Sequence, residues 1–189
     1  MRCTRTLIAL APLAFFAACS GSKPSSTPAA APRPPGPTAT ASIEGRSGSA
    51  LRGTATFVQT DETVHVTVDV TNAPEGVHAV HLHEKGDCSA PDATSAGGHF
   101  NPSHAEHGSP DVPMHHAGDF GNMTVGENGH GHLELDTTML TVVPGDRSVT
   151  GRAIVVHAKE DDMHTQPTGN AGARIGCGVV TEKASAPPK

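Results

Sequence analysis

Thr63-Val64-His65-Val66-Thr67-Val68-Asp69-Val70-Thr71 is the stretch whose reading decides the fold class. Its valines share one face, while His65, Thr67 and Asp69 share the other, which is the period of a half-buried strand. β-Branched residues suit such a pleated setting. Leu51–Gln59 alternates in the same way just upstream, and Asp61-Glu62 turns the chain between the two. Val77–Glu84, Phe120–Val125, His132–Leu140, Ala153–Ala158 and Arg174–Val180 read as further strands, and no segment sustains a helical period. Seven or eight short strands joined by Gly- and Pro-rich connections predict an all-β, antiparallel sandwich or barrel. Aromatic residues make up only 3% of the chain, so the core is expected to be Val, Leu, Ile and Ala.

Two long connections interrupt this rhythm, Lys85–Gly118 and Lys159–Ala173. Each follows a strand with histidine at its end, which places the histidines at one end or edge of the sheets. The stretch His99–Asp119 holds five histidines with three prolines and two glycines, so it reads as a functional loop. Neutral imidazoles and a carboxylate are ligands that zinc and copper favour. His99, His107, His116 and Asp119 make a set suited to tetrahedral zinc. His81 and His83 lie two apart on one strand and point to the same face. With His157 and a fourth imidazole they suit the tetragonal nitrogen environment of copper(II).

The 189 residues have room for one domain with extra sequence. Arg2 and Arg5 precede an apolar run, Leu7–Ala18, and Phe16-Ala17-Ala18-Cys19 resembles a bacterial lipobox. Residues 1–18 are therefore read as a signal peptide of the lipoprotein type with Cys19 as the acylated residue. Plain signal-peptidase cleavage is the alternative, because Phe16 is unusual there; either way the run is too short to be a membrane span. Residues 19–41, rich in Pro, Ala, Ser and Thr, read as a disordered tether. A folded domain is expected over 42–181 and a flexible tail over 182–189. Export points to a periplasmic or cell-envelope location, with the outer membrane as the favoured anchor for a Gram-negative source. Within 42–181, Arg46, Arg52, Lys85, Arg147, Arg152, Lys159 and Arg174 face eighteen of the chain's nineteen acidic residues, which argues against a nucleic-acid partner. Cys3 lies in the signal, so Cys88 and Cys177 are left to form one bridge in an oxidising compartment.

His81-Leu82-His83, Gly98-His99-Phe100-Asn101-Pro102, His107-Gly108, His116-Ala117-Gly118-Asp119, the run Val155–Asp162 and the run Gly169–Val179 resemble, in order, the motifs of the copper/zinc superoxide dismutases. The resemblance spans about 42–180. It implies a Greek-key barrel with two functional loops, and an enzyme that disproportionates superoxide to dioxygen and hydrogen peroxide. It further implies copper on His81, His83, His99 and His157, zinc on His99, His107, His116 and Asp119, and His99 as bridge and proton donor. Asp161 is similar to the aspartate that holds a copper histidine and a zinc histidine from behind. Arg174 resembles the arginine above copper that orients the substrate. Cys88 and Cys177 resemble the pair that clamps the first loop to the last strand. The quaternary state implied is a homodimer or a monomer.

Two features depart from the family pattern. Ser109 follows His107-Gly108 where many members have glycine, and Asp161–Gly169 is short and holds no lysine or arginine, so electrostatic steering rests on Arg174, Lys159 and the metals. His65, His78, His104, His115, His130, His132 and His164 have no place in the ligand sets and are assigned solvated or structural roles. A second reading of the whole is a non-catalytic protein on the same fold that buffers or delivers copper or zinc.

Overall fold

The computed structural model describes residues 36–183. Among these, the strands are β1 (Thr38–Gly45), β2 (Arg52–Thr60), β3 (Thr63–Thr71), β4 (Gly76–His83), β5 (Asp119–Val125), β6 (Gly131–Thr137), β7 (Ala153–His157), β8 (Arg174–Val179) and β9 (Thr181–Glu182). They pair in the order β2-β3-β6-β5-β4-β7-β8-β1-β9, and β1 also pairs with β2, so the first eight close on themselves. Every named pairing between these strands is antiparallel. The run β4-β5-β6 is a meander, while β3 lies beside β6 and β7 beside β4, which is Greek-key connectivity. Closure satisfies the strand edges that an open sheet would expose.

The alternating valines do what their spacing predicts, for Val64, Val66, Val68 and Val70 are buried in register against β2 and β6. With Ile43, Leu51, Phe57, Leu82, Met123 and Ile154 they fill the barrel. Phe57 and Phe120 meet at 6.4 Å between ring centroids, tilted by 55°.

Three expectations are corrected. The folded part begins at Thr38 rather than Ser42, because Ala39 and Ala41 alternate with Thr and Ser and bury their small side chains against the core. A composition dominated by Thr and Ala hides such a strand. The tail expected to be loose from Glu182 is held through Lys183, whose N–H donates to Thr38 O at 2.8 Å while β9 pairs with β1. The strand expected to run to Leu140 stops at Thr137, and Leu140 enters the core from the following turn. The signal peptide, Cys19, the tether up to residue 35 and the tail beyond Lys183 lie outside the described residues.

The first long loop returns along the end of β4. His83 bridges His99, Glu84 N–H donates to Gly98 O, and Phe100 N–H donates to Leu82 O. Gly118 closes this junction, where a Cβ would collide with Leu82 O and crowd Phe100 N. The loop also lays Ala93 and Ala96 over Ala153, Val155 and Cys177 on the outer face of β7 and β8. Cys88 and Cys177 are joined by a disulfide there. Arg46 adds Nε and Nη2 donors to Cys88 O at 3.0 and 2.9 Å.

Candidate metal centre

The inward residues of β4 and β7, Val80, Leu82, Ile154 and Val156, belong to the barrel core. Alternation therefore turns His81, His83 and His157 outward, beneath the loops, where all three are buried. A register shift between Ala79 and His81 and another between Val156 and His157 adjust the two strands at this place. His99, brought in by the first loop, completes a group of four whose candidate ligand atoms lie within 4.8 Å of one another.

Each of these imidazoles has one nitrogen committed to the protein. His81 Nε2 donates to Asp161 Oδ2 at 2.7 Å, His83 Nδ1 to Gly97 O at 2.9 Å and His157 Nδ1 to Gly172 O at 3.4 Å. The other nitrogens, His81 Nδ1, His83 Nε2, His99 Nε2 and His157 Nε2, are buried without a hydrogen-bond partner. Buried polar atoms are normally partnered, so four orphaned imidazole nitrogens facing one point make a group that could hold a nitrogen-liganded metal. Burial, opposed by the Asp161 hydrogen bond, lowers the pKa of His81 to about 4; burial and neighbouring His99 lower that of His83 to about 2. The neutral form is the one that can bind metal.

The second group is His99, His107, His116 and Asp119, all buried. Asp119 Oδ1 lies 2.9 Å from His99 Nδ1, 3.0 Å from His107 Nδ1 and 3.4 Å from His116 Nδ1. His107 Nδ1 is near that oxygen but lacks hydrogen-bond geometry to it. Three nitrogens around one carboxylate oxygen suit a tetrahedral ion. Asp119 Oδ2 accepts the main-chain N–H of Gly108 and of His116 at 3.1 and 3.0 Å, which orients the carboxylate. Burial alone would raise its pKa, but the imidazoles and Gly108 outweigh that and hold it well below the usual carboxylate range. His99 thus turns Nδ1 to this group and Nε2 to the other.

Asp161 stands behind both groups, accepting from His81 Nε2 on Oδ2 and from His107 Nε2 on Oδ1 at 2.9 Å. Burial pulls His107 down, but Asp119 and Asp161 together raise its pKa to about 9. Gly169, at φ +65°, packs on the Asp161–His107 hydrogen bond, and a Cβ there would collide with both partners. Arg174 donates from Nη1 to Ala93 O and from Nη2 to Gly97 O, each at 2.7 Å. Burial lowers its pKa, yet a guanidinium stays charged.

The remaining histidines lie outside both groups. His78 is buried with its ring nitrogens 2.8 Å from His157 O and 2.9 Å from Pro74 O, and His115 Nδ1 donates to His116 O. His65 and His132 pair with Asp136 and Asp69 on the exposed face of β3 and β6. The sequence reading missed two amide side chains. Asn122 donates to Asp161 O at 2.9 Å and accepts its N–H at 2.7 Å, and Gln166 makes the same pair of bonds with His107. No local pattern marks an amide that acts on a peptide group so far away in the chain.

A closed antiparallel barrel carrying an all-nitrogen group and a mixed nitrogen and oxygen group that share one imidazole defines a binuclear metalloprotein. A family model described as copper/zinc superoxide dismutase matches residues 51–180. The extracellular superoxide dismutase (Cu-Zn) of Drosophila melanogaster is 40% identical over 138 residues, covering 69% of this chain and 75% of that protein. Superoxide dismutase (Cu-Zn) 3 of Arabidopsis thaliana is 38% identical over 146 residues, 74% of this chain and 88% of that protein. The crystal structure of the clock protein EA4 superimposes with a TM-score of 0.68 at 38% identity, covering 76% of this chain and 93% of that one. The chain belongs to the copper/zinc superoxide dismutase family, an oxidoreductase family whose metals are copper and zinc.

Proposed function

We propose that the protein disproportionates superoxide outside the cytoplasm, with copper held by His81, His83, His99 and His157 and zinc by His99, His107, His116 and Asp119. The supporting observation is His99, which presents Nδ1 to one buried group while Nε2 faces the other without a partner. Copper held there would supply one-electron redox chemistry between its two oxidation states, and redox-inert zinc would order the loop. Arg174 orients the anion by charge-assisted hydrogen bonds from its fixed guanidinium. His99 holds a proton at Nε2 in one half of the cycle and releases it to the second superoxide, and a further proton from water completes hydrogen peroxide. Asp161 keeps a proton on the rear nitrogens of His81 and His107, leaving their Nδ1 lone pairs free.

Approach of superoxide relies on Arg174 and Lys159, since the segment from Asp161 to Gly169 holds no lysine or arginine. Support for export is the basic and apolar start before Cys19, together with similarity to an extracellular relative. Anchoring through an acylated Cys19 would place the domain on a tether at the cell envelope. Labelling with radioactive fatty acid tests the anchor, and an unlabelled exported chain refutes it.

Metal content and superoxide turnover of the exported protein test the function. One copper and one zinc per chain with turnover is the expected result; both metals without turnover would make the protein a metal carrier. Arg174→Ala should lower turnover at low salt about tenfold to a hundredfold, the size of a lost hydrogen bond to a charged group. Full turnover in that variant would remove Arg174 from the reaction.

A further inference from the structure

The second long loop, 159–173, carries little positive charge but holds His107 of the first loop through both Asp161 and Gln166. Within it, Asp162 Oδ1 accepts from His164 N–H at 3.0 Å and Thr165 N–H at 2.8 Å, and Oδ2 accepts from Thr165 Oγ1 at 2.6 Å. Gly169 N–H donates to Thr165 O at 2.7 Å and Asp162 N–H to Gly169 O at 2.9 Å, which closes the turn. Gln166 projects from that turn. Its Oε1 accepts from His107 N–H and its Nε2 donates to His107 O, both at 2.8 Å. The peptide N–H can only donate and the carbonyl can only accept, so the orientation of the amide follows.

One planar side chain thereby satisfies both main-chain polar groups of His107, which lies on a stretch without strand or helix. The imidazole of the same residue is held from behind by Asp161, whose own main chain is held in the same two-point way by Asn122 of β5. A continuous path runs from the barrel through Asn122, Asp161 and His107 to Gln166.

We infer that Gln166 is a positioning residue for the zinc group: its amide fixes the main chain of His107, so that release of zinc requires the second loop to lift. The loop acts here as a clamp on the first loop rather than as a charged funnel. This rests on the assignment of zinc to His107.

The test uses the full chain loaded with copper and zinc, with zinc release followed by a chromophoric chelator. Gln166→Ala should release zinc about tenfold faster, the low end of the effect of groups behind a ligand, because Gln166 is itself exposed. Gln166→Glu keeps the acceptor but loses the donor to His107 O, and should release zinc at least as fast as the alanine variant. In both, copper content and its visible spectrum should stay as in the parent, and Tm should fall more in the loaded than in the metal-free protein. An unchanged release rate in Gln166→Ala, or equal loss of Tm with and without metal, would overturn the clamp. His107→Gln in the same assay separates the two readings: if it retains zinc like the parent, the zinc assignment fails rather than the clamp.

Discussion

His81, His83 and His157 reach the site from β4 and β7, whereas His107 and His116 reach it from a loop without regular structure around them. The strand-held residues need only the barrel, whose register places Val80 opposite Val156 and His81 opposite Val155. The loop-held residues depend on the disulfide, on Asp119, and on Asp161 and Gln166 from the other loop. Charge sets His107 apart. Burial lowers the pKa values of His81, His83 and His157 and of loop-held His116, whereas two carboxylates raise that of His107. Half of the centre is a product of packing, and the other half of polar contacts between loops.

The largest blow to this division is removal of the disulfide. Replacing Cys88 and Cys177 by Ser frees a crosslink across a sequence separation of 89 residues, and the chain-entropy model sets a ceiling of about 4 to 5 kcal/mol. The denaturation midpoint should fall accordingly, and zinc should be lost before copper. Equal loss of both metals would break the contrast. Asp161→Asn comes next, because Asp161 touches one histidine of each kind. Chelator competition should show zinc affinity reduced about tenfold to a hundredfold, with a smaller change for copper, whose His83 and His157 keep their carbonyl partners.

The smallest effect is in the pH dependence of the metal-free protein, where His107 acts with the opposite sign to His81 and His83. His81 and His83 have folded pKa values of about 4 and about 2, below the unfolded 6.5, so their stability contribution is lost as pH falls below about 6.5. His107, raised to about 9, contributes below 6.5 and loses that contribution as pH rises through 9. The depressed carboxyl groups of Asp119 and Asp161 add a further loss below about pH 4. Thermal melts across pH should therefore give a dome. His83→Gln should flatten its acid side and His107→Gln its alkaline side. An alkaline decline that survives in His107→Gln would assign it to another group.

Much of the site is legible before the fold is known, because the imidazoles and the carboxylate that suit these metals are recognisable residue types, and their spacing on a strand decides which share a face. His81 and His83 are readable as a pair from two-residue periodicity alone. Gln166 and Asn122 are not, since an amide that binds a distant main chain looks like any polar loop residue. The strand at Thr38–Gly45 escapes for another reason: alanine and threonine serve a linker and a tightly filled barrel wall equally well, and only the facing β2 decides.

By itself, the sequence determined the all-β class, the two histidine sets and the cysteine pair, since periodicity and ligand chemistry are local properties. Only the tertiary structure decided that His99 turns a different nitrogen to each group, that Asp161 spans the two, and that an exposed glutamine holds the main chain of His107. Those depend on directions and distances between elements up to 80 residues apart in the chain, which are set when β4 and β7 pair and the loops fold over them.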